Sequence, residues 1–300
     1  MNLYCRAGRA GPLLTFLRSE LQLSASLVQR LKRTDALTVN GLPVFTNHPV
    51  LPGDVISVCL DEPPPAFPPE AGPLEILWED DALLAADKPP CLWTHPSASR
   101  QTGTLANLAA GYFRQSGQPC GIHPVTRLDR DTFGVVLLAK NAHIHALLCR
   151  AQQACRLEKT YLAAVAGGPE QDAGLISLPI GRRGGGSLLR EVRADGQAAR
   201  TRYRVLNRAA GVSLLELRPE TGRTHQLRVH CAAMGFPILG DRDYGSPASL
   251  LLSRRWDLHT QQLCAARLRF AHPLTGEPLE IASHQAPFFP DSSDIFPFDG

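Results

Sequence analysis

The chain has eight cysteines and not one CxxC pair among them. Scattered thiols (Cys5, Cys59, Cys91, Cys120, Cys149, Cys155, Cys231 and Cys264) exclude a zinc ribbon or a redox dithiol on spacing grounds. Cys149 and Cys231 fall on expected helix faces as small apolar residues would, so reduced thiols are expected. No apolar run reaches membrane-spanning length, and the start MNLYCRAGRAGP lacks the apolar core of a signal peptide. A cytoplasmic protein without a membrane partner is the expectation. The glycine run Gly184-Gly185-Gly186 is not followed by GKS or GKT, which disfavours a nucleotide-binding loop and leaves flexibility as its use. His225 and His230 are spaced wrongly for a helical zinc pair, His143 and His145 fall on opposite faces of their helix, and no HExxH occurs. Neither a metal nor a small-molecule cofactor is expected. The net charge of +3 is too small to name a partner.

The distribution of charge says more than its sum. Residues 180–230 hold eleven Arg against four acids, while residues 61–100 hold eight acids against two bases. Clustered Arg suits bidentate contacts to phosphate, with a solvated basic face as the bland alternative. The length and the 44% hydrophobic content suit one large domain plus a small one. Between them runs DEPPPAFPPEAGP, residues 61–73, with Pro at six of thirteen positions, expected to be a semi-rigid extended linker. Two parts so joined could grip one phosphate-bearing partner at separate points.

The first part, residues 1–60, opens with two short helical patterns. Leu13, Leu14, Leu17 and Leu21 make one stripe; after a Ser24 cap, Leu27, Val28 and Leu31 make the next. Arg30, Lys32 and Arg33 close the second helix, where cations complement the helix dipole and could equally meet phosphate. ALTVN, an Asn40-Gly41 turn and LPVF read as a hairpin, followed by the strand DVISVCL. This helix, helix, hairpin order with its basic helix end resembles the S-four-type RNA-binding domain over residues 13–60.

The stretch that organises the rest is His123 to Asn141, HPVTRLDRDTFGVVLLAKN. Val135 to Ala139 is apolar on both strand faces, which reads as a strand inside a sheet. Asn141 offers an N-cap to a helix carrying Ile144, Leu147, Leu148 and Ala151. Before the strand, Asp129 lies between Arg127 and Arg130, with Asp131 and Thr132 next and Gly134 turning into the strand. Flanking cations favour an ionised carboxylate, and an ionised carboxylate on a loop held by a sheet is a usable nucleophile or base. A local salt-bridge cluster is the competing reading. Further on, RLEKTYLAAVAG reads as a strand with Tyr161 amid apolar residues. The strands 201–205 and 213–217 form a hairpin across NRAAG. In RPETGRTHQLRVHCAAMGFPILGDRDYG, Thr224 can cap a helix with a buried stripe of Leu227, Cys231 and Met234, ended by Gly235. Arg228 sits one residue off that stripe and requires a carboxylate partner.

Together these segments resemble the RluA-type RNA pseudouridine synthases over residues 74–287. HPVTRLDRDTFG is close to that family's HRLDRDTSG, with Thr126 for the usual His and Phe133 for the usual Ser. EDD followed by a strand, KPPC and HPS match, with Cys91 where Gly is usual. KTY, GRTHQLRVH, GDRDYG and HPLTGEPLE follow in the family's order. The resemblance implies an α+β fold with a mixed or antiparallel central sheet, and a catalytic domain over residues 74–290 with an acidic tail over 291–300. It implies that Asp129 is the catalytic carboxylate, that Arg228 pairs with it, and that Tyr161 packs on the target base. Arg127, Arg130, Thr132, Arg223, His225 and Leu227 are the expected substrate-binding residues, Arg223 and His225 by shaping the site or holding backbone. The partner implied is ribosomal or transfer RNA and the reaction isomerisation of uridine after base flipping; a monomer is the default expectation. Two other classes remain: a glycoside hydrolase, for which no free second carboxylate offers itself because Asp131 is ion-paired, and a non-catalytic RNA-binding or ribosome-assembly factor.

Overall fold

The structure, a computed structural model, describes residues 1–290 apart from Pro119 and Gly186; the expected acidic tail at 291–300 and one glycine of the 184–186 run lie outside the described residues. The first unit comprises β1 (Asn2–Arg6), β2 (Gly11–Pro12), α1 (Leu13–Ser19), α2 (Ala25–Leu31), β3 (Leu37–Val39), β4 (Leu42–Pro43), β5 (Pro49–Val50) and β6 (Val55–Cys59). Ser24 caps α2, its hydroxyl accepting from the Leu27 amide at 3.1 Å. Leu13, Leu17, Leu27, Val28 and Leu31 of the two helices close over Leu3, Val39, Ile56 and Val58 of the sheet β1-β6-β3-β4, while Leu14, expected in the first stripe, is exposed. Asn40 and Gly41 take φ of 52° and 81°, the left-handed pair that a two-residue hairpin requires. Strand β1 was not anticipated: five residues with one buried side chain carry too little alternation to mark a strand, and antiparallel pairing to β6 settles it.

The proline-rich stretch, residues 61–73, forms neither helix nor strand and is strapped onto the second unit. Glu62 accepts from the Ala142 amide at 3.3 Å and pairs with His123 Nε2 at 2.9 Å. Asn107 Nδ2 donates to the Pro68 carbonyl at 2.7 Å, and the Glu70 carboxylate accepts from the Gly103 amide. Phe67 meets the His95 ring edge-on at 5.3 Å between centroids. Gly111 makes the fit possible, because a β-carbon there would stand 1.8 Å from the Glu70 carbonyl oxygen.

The second unit runs β7 (Ile76–Glu79), β8 (Leu83–Lys88), α3 (Leu105–Gln115), β9 (His123–Pro124), β10 (Phe133–Ala139), α4 (Ala142–Gln153), β11 (Glu158–Ala166), β12 (Ala173–Ser177), β13 (Ile180–Arg182), β14 (Arg190–Val192), β15 (Arg200–Ala209), β16 (Val212–Pro219), α5 (Gln226–Ala233), α6 (Pro247–Arg255), β17 (Leu263–Ala271) and β18 (Pro278–Ala282). Its sheet has the order β12-β15-β16-β11-β17-β10-β8-β7, with β18 on β17 and β9 on β10. All its pairings are antiparallel except β10 with β17, so the sheet is mixed. Strand β10 is buried throughout: Val135, Leu137 and Ala139 pack toward α4, and Val136 and Leu138 toward α3. Asn141 caps α4 as expected, accepting from the Ile144 amide at 2.9 Å. Gly134 lies inside β10 rather than before it; its φ is +104°, and a β-carbon would stand 2.4 Å from the Ala265 carbonyl oxygen across the parallel pair.

Three local expectations are corrected. The hairpin β15–β16 turns at Ala210-Gly211, and Asn207 to Ala209 continue the strand past a register shift. Thr224 does not cap α5: His225 holds the cap position at φ 56°, and the Gln226 side chain ties the turn instead, accepting from the Arg223 amide at 3.0 Å. Met234 is 47% exposed, since α5 ends before its stripe reaches that turn. No helix among the described residues is long and apolar enough to cross a membrane.

Candidate active site

Asp129 stands in the loop between β9 and β10, and that loop is fastened on both sides of it. Thr94 Oγ1 donates to the Leu128 carbonyl at 2.8 Å and accepts from the Leu128 amide at 3.1 Å. Lys88, fully buried at the end of β8, donates to the carbonyls of Pro89, Leu92 and Arg130 at 2.9, 2.7 and 2.9 Å. Burial lowers the Lys88 pKa to about 8, with the carboxylates of Asp131 and Asp129 pulling the other way. Thr126 accepts from the Leu137 amide at 2.9 Å, and Phe133 is buried in the core, so both departures from the motif serve the loop's support. Cys91 keeps a left-handed backbone, φ 64°, as a glycine there would.

Strand register brings Tyr161 to the same end of the sheet. Cys264 of β17 is partner to Phe133 on β10 and to Leu162 on β11, so the residue before Leu162 lies beside the Asp129 loop. The β11–β17 register shifts at Tyr161, a bulge of the kind that re-aims a side chain. The phenol packs against the apolar clusters of both flanks. Burial, and then the Asp129 charge, push its pKa above the ordinary value, so the ring stays neutral.

Helix α5 supplies the cation. Arg228 Nη1 donates to Asp129 Oδ2 at 3.4 Å, while Nε and Nη2 grip both oxygens of buried Asp241 at 2.7 and 2.8 Å and Nη2 also meets Asp243 at 2.8 Å. Burial opposes the charge on Arg228, but Asp241 foremost, then Asp243 and Asp129, hold its pKa above the ordinary value. The Tyr244 ring lies under the guanidinium at 4.8 Å. Its hydroxyl accepts from the Arg190 amide and meets His225 Nδ1, both at 2.8 Å, leaving His225 Nε2 3.9 Å from Asp129 Oδ2. Burial pushes the His225 pKa below its ordinary value against the pull of Asp129.

Asp129, Tyr161, Arg228 and His225 therefore converge, and Asp129 keeps 31% of its side chain open to solvent. The other expected residues have different surroundings. Arg130 forms a bidentate pair with Asp131 at 2.8 and 3.0 Å, not with Asp129, and Arg127 is exposed. The cationic partner of Asp129 comes across the sheet from Arg228, not from its sequence neighbours. Thr132 is buried and accepts from Gln261 Nε2, so it braces the loop instead of facing substrate. Arg223 holds the Ala198 carbonyl at 3.1 Å, and Leu227 is core beneath Tyr161. Thr94, Lys88, Asp241 and Tyr244 were not singled out from sequence; the GDRDYG segment following α5 was the available signal for the last two.

The family model described as RNA pseudouridylate synthase matches residues 82–233. YhcT, an RNA pseudouridine synthase of Bacillus subtilis (strain 168), is 37% identical over 286 residues, 94% of this chain and 91% of that protein. The ribosomal large subunit pseudouridine synthase D of Pasteurella multocida (strain Pm70) is 35% identical over 221 residues, 71% of this chain and 68% of its own length. Among solved structures, human RNA pseudouridylate synthase domain containing 1 superposes with a TM-score of 0.60 at 28% identity, covering 74% of this chain and 87% of that one. The chain belongs to the RNA pseudouridine synthases of the RluA type, on an α+β fold with a mixed central sheet. It is an isomerase whose substrate is RNA.

Proposed function

We propose that this enzyme isomerises particular uridines of a structured ribosomal or transfer RNA to pseudouridine, with Asp129 at the reacting sugar. The convergence of Asp129, Arg228 and Tyr161 carries the reading. The glycosidic bond from ring nitrogen to sugar breaks, the uracil turns, and a ring carbon rejoins the sugar while that carbon's hydrogen leaves to water. Asp129 acts as nucleophile or as base at the sugar, Arg228 pairs with it and places it, and Tyr161 offers the loose uracil a flat apolar face. A base stacked inside RNA is reached by flipping it out, at about a few kcal/mol that phosphate contacts offset. Residues 1–60 act as an S-four-type RNA-binding unit, with exposed Arg30, Lys32 and Arg33 at the end of α2 toward phosphate. Residues 61–73 are the strap and residues 74–290 the catalytic domain. The name of the Pasteurella relative favours a ribosomal target. The test is tritium release from carbon-five-labelled uridine in total RNA of a strain lacking the protein. Wild type should release tritium and Asp129→Asn should not, while both bind RNA; binding without release by either would return the protein to the RNA-binding-factor class.

A further inference from the structure

Trp93 is 42% exposed on the loop that fastens the Asp129 segment, although both of its neighbours are committed inward. The Leu92 carbonyl accepts from Lys88, which also holds the Arg130 carbonyl, and Thr94 clamps Leu128. The indole therefore stands one residue from each of two ties that flank Asp129. The Arg100 guanidinium lies 5.7 Å from the indole centroid. Arg100 is exposed and pairs with no acid among the described residues. The loop is rigid on its own account. The Trp93 carbonyl accepts from the Leu105 amide at 2.8 Å, Ser97 and Arg100 exchange backbone hydrogen bonds at 2.7 and 3.0 Å, and Phe67 of the strap packs on His95.

An exposed indole is a poor surface for water, and here it is held in place instead of being folded inward. A flat π face beside an uncompensated cation matches one chemical class present in the substrate: a nucleobase with its phosphate. Resting on the reading of Asp129 above, we propose that Trp93, with Arg100, is a stacking platform for a nucleobase adjacent to the target uridine. It positions the RNA once the target has left the stack, replacing part of the stacking that flipping removes. Trp93 touches no reacting atom and is a positioning residue.

In the tritium-release assay on total RNA, Trp93→Ala should raise KM about ten-fold or more, the usual effect of losing one stacked base, with kcat within about two-fold. Trp93→Phe should recover most of that loss, and Arg100→Gln should fall between. Oligouridylate should quench the tryptophan fluorescence of wild type, and Trp93→Phe, which keeps Trp78 and Trp256, should lose that quenching. Wild-type release with an unaltered KM in Trp93→Ala, or quenching that persists in Trp93→Phe, overturns the platform alone. Absence of release by wild type overturns the isomerase reading, and the platform's role with it.

Discussion

Arg228 grips Asp241 with two hydrogen bonds of 2.7 and 2.8 Å and reaches Asp129 with one of 3.4 Å. The fork is thus aimed by the fully buried Asp241, and Asp129 receives the nitrogen that is left over. Asp241→Asn should lower kcat about a hundred-fold with little change in KM, because the loss is of placement. Asp241→Ala, which leaves the guanidinium buried beside a void, should destabilise the fold by about 3–5 kcal/mol in urea unfolding. Equal loss of KM and kcat in Asp241→Asn would count against an aiming role.

Lys88 makes stability and activity respond oppositely to alkali. Its pKa is about 8 when folded against 10.5 for a free lysine. Below about 8 the lysine is protonated in both states and burial of the charge is a penalty. Between about 8 and 10.5 the folded lysine has lost its proton and the unfolded one has not, so this group raises stability with pH. The neutral amine then has two N–H donors for three carbonyls, and the Asp129 loop loosens. Relative to Lys88→Met, wild type should gain stability over that window in urea unfolding. Its tritium release should fall with a midpoint near 8, a limb that Lys88→Met lacks.

Gly111→Ala separates helix propensity from fit. In an open helix the change stabilises by about 1 kcal/mol. Here the new methyl collides with the Glu70 carbonyl and forces the strap away from α3. Limited proteolysis should cut within residues 61–73 faster in the variant, with the catalytic unit left whole. Unchanged cleavage would mean that the strap does not depend on this fit.

Neutralising Arg30, Lys32 and Arg33 together to Gln should weaken RNA binding and flatten its salt dependence. The slope of log K against log salt should drop by about 2 to 3, at roughly 0.7–0.9 for each phosphate that the protein no longer neutralises. The tritium-release kcat at saturating RNA should not change, because these residues stand at the end of α2, outside the Asp129 site.

What could be read from the sequence was local in origin. Strand β10, the Asn141 cap and the Asn40-Gly41 hairpin each rest on a few adjacent residues whose side chains state their own environment. Lys88 could not be read that way: ahead of two prolines it looks like a turn lysine, and only the approach of Arg130 from 42 residues away makes it a buried anchor. The residues alone gave Arg228 a need for a carboxylate and the resemblance named Asp129; that Asp241 and Asp243 also hold the guanidinium, at shorter distances, is visible only in the geometry. Proline content set residues 61–73 apart from helix and strand; what they lie against depends on Asn107, Gly111 and His123, which composition does not weigh.

The parallel pair β10–β17 also sets a schedule. Asp129 belongs to the half of the sheet that includes β10 and β8, and Tyr161 and Arg228 to the half built on β11 and β16; β17, the next-to-last strand among the described residues, lies between β11 and β10. A chain still being synthesised can complete either half on its own. The two halves meet through β17, so Asp129 is brought to Tyr161 and Arg228 only after residues 263–271 have been made.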